Sequence, residues 1–395
     1  MRVILFDDLS QRAKLFPLTL TRPIAALRVG ILTISEKWEK YLGCQVSYQT
    51  EPYLQKKFPV KYDEQNLLIN GSLCPNSELI EKINNLSTNE ALFAYDTLLA
   101  IKLPEELAKK WDCLDLSIYK PIHYKAPITQ LVFPEDIFKW NDAEIRKDYT
   151  LLTKNRTSKN LSNTNCILGE NIFIEEGVSV ECSTLNTLEG PIYLGKNSQI
   201  WEGCNIRGSF ALCEHAQVKM GAKIYGMTTI GPHSRVGGEI NNAVIFGYTS
   251  KGHDGYLGNS VLGEWCNLGA DTNTSNLKNN YSEVSLWDYN KMYFRKTGLQ
   301  FCGLIMADHA KCSINTMFNT GTVVGVGANI FGAGFPKNFV PDFAWGGAGG
   351  FETHQLTKLF ETAEKVFARR NKSFDVTEKD ILIKVFELTE TARII

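Results

Sequence analysis

The 395-residue sequence has no excess of either charge sign, since 42 basic and 43 acidic residues leave a formal net charge of −1. It has no long block of lysine and arginine, which excludes a nucleic-acid or membrane-surface footprint and leaves small molecules as the expected partners. It also lacks an apolar run of transmembrane length, and the opening MRVILFDD turns acidic after four apolar residues, too few for a signal-peptide core. A cytoplasmic protein is the expectation. Ten cysteines are spread from Cys44 to Cys312 without one C-x-x-C pair, so neither a zinc knuckle nor a thioredoxin-type redox site is encoded locally. Reduced, mostly buried thiols follow.

The length and the 44% hydrophobic content suit two domains with cores of their own. Over residues 1–155, short apolar runs alternate with helical patterns, as in an open, mainly parallel α/β sheet of Rossmann-like layout. RVILF, QVSYQ, LLIN, ALFAY and LLAIKL read as strands. Helices are expected over EKWEKYL with Ser35 as its cap, over 77–86, and over PEELAKKW.

The pattern then changes. Leu188, Leu194, Ile200, Ile206, Leu212, Val218, Ile224, Ile230 and Val236 stand six apart without a break. A helix would scatter such a series, because six residues turn through about 600°. A single strand could not run that far inside a globular domain. A triangular coil can, each six-residue rung forming one side and turning one branched residue inward. The spacing predicts a left-handed parallel β-helix of hexapeptide repeats over 161–345. After Val236 the phase slips, which reads as a loop leaving the coil. A second excursion, near 278–300, carries Trp287, Tyr289, Tyr293 and Phe294, and these need either a neighbouring subunit or the coil's own edge to pack on. Over 351–395 two amphipathic helices follow, one using Leu356, Leu359, Phe360, Ala363, Val366 and Phe367, the next starting at Thr377. Their expected role is to cap the coil's exposed last rung.

Function concentrates at 248–279. Gly252-His253-Asp254-Gly255-Tyr256-Leu257-Gly258, then Asn267-Leu268-Gly269-Ala270, then Asn276, resembles the acetyltransferase half of the bifunctional GlmU-type enzymes that make UDP-N-acetylglucosamine. The resemblance implies acetyl-CoA as acyl donor and an amino-sugar phosphate as acceptor. His253 becomes the general base, because a protonated amine must lose a proton before it can attack a thioester. Taken by itself, His253 reads first as a solvated loop residue, and the surrounding motif turns it to the functional reading. Tyr256 and Asn267 would orient the sugar, while the Ala270 N–H and Asn276 would meet the thioester or pantetheine. Lys223, Lys251 and Arg235 are the candidate sugar-phosphate ligands, Lys223 favoured because the family has a basic residue at that offset. His309 and Lys311 read either as a coenzyme or subunit contact or as an ordinary rung of the coil. A metal site with Cys302 and Cys312 is disfavoured because Cys312 takes an inward place.

Sugar nucleotidyltransferases open with a Gly-rich G-x-G-T-R loop, and none is present here. The chain instead resembles a divergent bacterial branch of the GlmU-type family, with T-R-P, L-R-V-G-I-L-T and E-K-W at this place and INGSL, TKNRTS and FAWGGAGGF further on. That implies UTP or another nucleoside triphosphate as second co-substrate. Arg22, Arg28 and Lys37 could hold the triphosphate, with Gly30 allowing close approach and Thr33 adding a hydroxyl. Arg22 and Arg28 could equally pair with Asp7 and Asp8. Mg²⁺ is implied by the reaction class alone, and Asp7, Asp8, Asp96 and Asp142 are available without a motif that chooses among them. The resemblance further implies a homotrimer. Two other readings stay open: an acyltransferase with an inactive N-terminal domain, and a non-catalytic assembly subunit.

Overall fold

A computed structural model of the chain describes residues 1–394. Two compact units divide it, the first holding 1–15, 21–27 and 32–132, the second 16–20, 28–31 and 133 onward. The helix Asp136–Thr153 and the short segment Arg28–Ile31 therefore go with the second unit, although the sequence places both in the first domain.

The first unit is built on a six-stranded sheet. Arg2–Phe6 runs parallel to Val46–Gln49 and Gln65–Asn70, but Thr97–Pro104 is antiparallel to both of its neighbours, so the sheet is mixed rather than mainly parallel. The alternation in LLAIKL could not reveal direction, since both ladders use the same period of two. Ile4, Phe6, Leu68, Ile101 and Leu103 form the core beneath it. The first long helix is Ile34–Leu42. Its cap is Thr33, two residues before the expected Ser35, and Glu36 closes the capping box.

The second unit is a left-handed parallel β-helix with three faces. The first face runs through Thr184–Asn186, Asn205–Arg207 and Lys223–Tyr225, the second through Ile192–Leu194, Phe210–Leu212 and Thr228–Ile230. The third runs through Gln199–Ile200, Gln217–Val218, Arg235–Val236, Ser250–Lys251, Asn267–Leu268 and Lys311–Cys312. The periodic residues from Leu194 to Val236 line one continuous core. Leu188 does not: it is 72% exposed, and Leu185 takes the inward place beside Ile206. Asn186 accepts the Leu188 N–H and holds a longer corner there, so the six-residue count begins only at Leu194.

The phase slip after Val236 is likewise not a loop. The strands Glu239–Gly247 and Tyr256–Glu264 each run through a corner and pair over seven positions, shortening the turn. Val218 pairs with Val236, eighteen residues on, whereas Val236 pairs with Lys251, fifteen on. The second excursion is real. It carries the hairpin Ser285–Asp288 and Tyr293–Lys296, and it packs on the coil's own edge: Trp287 stacks on Phe339 at 4.3 Å, and Tyr289 donates to Asp342 at 2.9 Å.

The helices Leu356–Ala368 and Val376–Leu388 lie along one corner of the coil rather than over its end. Phe367 stacks on Trp265 at 3.8 Å and on His309 at 6.0 Å, and Phe386 meets Phe343. Gly350–Thr353 doubles back on Ala344–Gly347 instead and brings Phe351 against the core. The second helix is capped by Asp375, two residues before the expected Thr377. Among the described residues no helix is long and apolar enough to cross a membrane.

Gly30 tests this packing. At φ +78° a β-carbon would lie 2.5 Å from the Asp148 carboxylate and 2.8 Å from the Glu144 backbone. Gly30→Ala is expected to lower stability by more than about 2 kcal/mol, read by chemical denaturation, because a left-handed φ and a helix backbone both oppose it.

Candidate functional site

Three neighbouring strand segments of the first face, Lys223–Tyr225, Glu239–Asn241 and Tyr256–Gly258, carry outward side chains in register: Lys223 beside Glu239, and Glu239 beside Tyr256. Ile224, Ile240 and Leu257 alternate with them and point into the core. Just before Tyr256 the chain turns the corner from the third face, and His253 stands exposed on that corner. Its ring has no hydrogen-bond partner among the described residues.

Beside it is a small polar network. The Asn276 amide donates to the Tyr256 hydroxyl at 3.0 Å and to the Asn259 side-chain oxygen at 2.7 Å. The Tyr256 N–H donates to Asn273 Oδ1 at 2.9 Å, fixing the start of the strand. Gly258 floors the network, since a side chain there would collide with the Tyr256 hydroxyl and the Asn276 amide. Tyr225 donates to Glu239 at 2.6 Å, and that bond pushes its phenol up to about 12. The Ala270 N–H meets no protein acceptor among the described residues, and its carbonyl accepts from Asn315. Tyr256 and Asn276 were legible from the sequence. Asn259 and Asn273 were not, although the outward places of these strands follow from the period of two.

Other expected ligands part company. Lys223 lies two strands from Tyr256, roughly 10 Å at ordinary strand spacing. Arg235 and Asn267 point outward on the third face, separated by Ser250. Lys251 occupies the inward place of its rung, between Val236 and the next turn, and is 2% exposed. It cannot meet a sugar phosphate, because its ammonium donates to the carbonyls of His253 at 2.6 Å and Asp254 at 3.1 Å. Burial pushes it from an ordinary 10.5 down to about 8, with Asp254, Asp271 and Cys312 drawing it partly back. Lys251 thus holds the corner that carries His253. Lys311 likewise donates to the carbonyls of Trp265 and His309, and the buried His309 ring packs on Phe367, so this pair serves the coil and its helix.

The expected nucleotide ligands are engaged in the fold. Arg28 donates to the carbonyls of Ile31 and Phe246 within the second unit. Gly30 donates to Asn141 and accepts from Thr229, so its freedom serves helix packing and not a triphosphate. Thr33 caps a helix, and Lys37 is 1% exposed within that helix. Arg22 is buried, its carbonyl accepting from Arg12. Asp7 pairs with Arg12 at 2.9 Å, rather than with Arg22 or Arg28, and also accepts from Thr50 and the Ile24 N–H. Burial pushes its carboxyl up against those partners. Asp8 caps the helix Leu9–Lys14, Asp96 is exposed in the hairpin turn between Glu90–Ala94 and Thr97–Pro104, and Asp142 pairs with Arg146 and accepts from Ser209. Among the described residues no three His, Cys, Asp or Glu side chains gather as a metal site. These four carboxylates do not fit a Mg²⁺ centre. The first unit's own cavity, about 590 Å³, lies at the carboxyl ends of the parallel strands Glu90–Ala94 and Lys120–His123, and Tyr95, His123 and Lys125 line it. That is where open α/β sheets hold ligands, and no sequence motif marked it.

Residues 3–157 match the family model described as sugar nucleotidyl transferase. The bifunctional protein GlmU of Methanocaldococcus jannaschii is 33% identical over 87 residues, 22% of this chain and 21% of that protein. That of Thermus thermophilus is 27% identical over 220 residues, 48% of each. The chain therefore spans about half, or less, of the length of these curated relatives. Among solved structures, the UDP-N-acetylglucosamine acyltransferase of Campylobacter jejuni aligns over 59% of this chain and 83% of its own, at 15% identity and a TM-score of 0.26. The N-acyltransferase AntD of Bacillus cereus, solved with dTDP and 3-hydroxybutyryl-CoA, aligns over 52% and 92%, at 13% identity and a TM-score of 0.23. A sugar nucleotidyl transferase sequence over residues 3–157 with a hexapeptide coil behind it marks the chain as a transferase, similar over part of its length to the bifunctional GlmU proteins.

Proposed function

We propose that the coil transfers an acetyl group from acetyl-CoA to the amine of glucosamine-1-phosphate, and that the first unit transfers a uridylyl group from UTP to give UDP-N-acetylglucosamine. The observation that carries the first step is the Tyr256–Asn276–Asn259 network beside the exposed His253. The His253 imidazole takes a proton from the acceptor nitrogen as that nitrogen bonds to the thioester carbon. The carbon–sulfur bond then breaks, and the proton passes to the departing thiolate, giving the amide and free coenzyme A. The Ala270 N–H stabilises the carbonyl oxygen as charge gathers on it, while Asn276, its two N–H groups held by Tyr256 and Asn259, offers its side-chain oxygen to the pantetheine. Lys223, on the same face, attracts the sugar phosphate.

A homotrimer belongs to this reading. Met220 is 65% and Ile314 67% exposed, and both stand on the corner column that carries His253, where a second copy would cover them. Sedimentation should give three copies, and a monomer at working concentration would count against it.

One observation favours a narrower reading. Every triphosphate ligand expected in the first unit from the sequence has a structural engagement, which suits an acyltransferase whose N-terminal unit binds without catalysing. Incubation with glucosamine-1-phosphate, acetyl-CoA and UTP, following coenzyme A and pyrophosphate separately, decides. Both products support the full proposal, coenzyme A alone the narrower one, and neither product refutes both.

A further inference from the structure

On the third face, across the rungs of Arg235, Ser250 and Asn267, a cavity of about 300 Å³ lies against the last turn of the helix Leu356–Ala368. Arg235 enters it from the coil, and Arg369 and Arg370 enter it from the helix end. Among the described residues none of these three guanidinium groups is paired with a carboxylate, and Arg370 is half-buried. Burial, then Arg235 and Arg369, hold Arg370 below its ordinary range. The side chains of Ser250 and Asn267 line the same cavity and meet no protein partner among the described residues.

A helix C-terminus favours cations, which accounts for an arginine there. It does not account for Arg235, which approaches from a strand of a different element. Three like charges around one small cavity repel each other, and a folded chain keeps such an arrangement at a cost to its stability unless an anion offsets it. Guanidinium forks, a hydroxyl and an amide are donors that match the oxygens of a phosphate.

We propose that this cavity binds a phosphate-ester or diphosphate group. Two sources share that chemistry, coenzyme A and a uridine nucleotide. Only the coenzyme A source rests on the acyl-transfer reading.

The test is calorimetric titration of the full chain at low ionic strength with inorganic pyrophosphate, then with coenzyme A, dephospho-coenzyme A and UDP. The unsubstituted protein is expected to bind pyrophosphate, and Arg235→Gln with Arg370→Gln to weaken that binding at least about tenfold, as half-molar salt also should. Absence of pyrophosphate binding, or equal binding by the variant, overturns the proposal. A loss for coenzyme A greater than for dephospho-coenzyme A identifies the 3′-phosphate as occupant. Equal losses identify the diphosphate, and a loss confined to UDP identifies the nucleotide. Pyrophosphate binding without acyl transfer would leave this site standing and refute the reaction. Arg370→Gln alone should hold or raise the unliganded melting midpoint by relieving repulsion, and a marked fall would show these arginines to be structural.

Discussion

Alanine in place of His253 is expected to slow coenzyme A release from acetyl-CoA by about 10²- to 10⁴-fold, the range for loss of a general base. The fold should be untouched, because the ring is exposed on a corner and meets no polar partner among the described residues. The melting midpoint should therefore stay put while the rate collapses. The binding of acetyl-CoA should persist as well, since the Tyr256–Asn276–Asn259 network is intact without the imidazole. A variant that keeps its rate would remove His253 from the chemistry. The acyl site would then have to be sought elsewhere on the coil.

Lys251→Met has a different signature. The methionine fits the inward place that Lys251 fills, but it cannot donate to the carbonyls of His253 and Asp254. The corner loses its anchor, and acyl transfer is expected to fall about 10- to 100-fold with a melting midpoint near that of the unsubstituted protein. Lysine at this place also leaves a mark on stability. The folded chain lowers its pKa from 10.5 to about 8, so the unfolded chain binds the proton more tightly. Folding carries that penalty in full below pH 8 and loses it as the pH rises from 8 through 10.5. Relative to Lys251→Met, the unsubstituted protein should therefore gain on the order of 3 kcal/mol across that window. Asp254, Asp271 and Cys312 are present in both proteins, so the difference isolates the amine. Parallel stability curves would show that the amine is not desolvated in the fold.

Lys251 also shows where sequence reading stops. In the string TSKGHD a lysine two residues before a catalytic-type histidine looks like a ligand for substrate. Whether it points out or in depends on the coil's phase, and the phase had slipped by three residues since Val236. A strand's side chains alternate, so an odd shift exchanges the inner and outer sets. Arg28 and Gly30 show a second limit. An arginine and a glycine after a first strand suit a phosphate loop, but the helix Asp136–Thr153, more than a hundred residues later, takes the N–H of Gly30. No local pattern carries that information.

The sequence by itself determined the coil, because a six-residue period of branched side chains admits no helix and no single strand, and each rung's burial depends on its own residue. It also marked the stretch proposed to carry the acyl chemistry, because His253, Tyr256 and Asn276 keep fixed offsets along one chain. Only the tertiary structure decided which polar groups share a face. Lys251 went inside, Arg235 met Arg369 and Arg370 of a helix over a hundred residues on, and Asn259 joined Asn276. Those neighbours are set by the number of residues in every intervening turn and by long-range packing, and neither is written at the residue concerned.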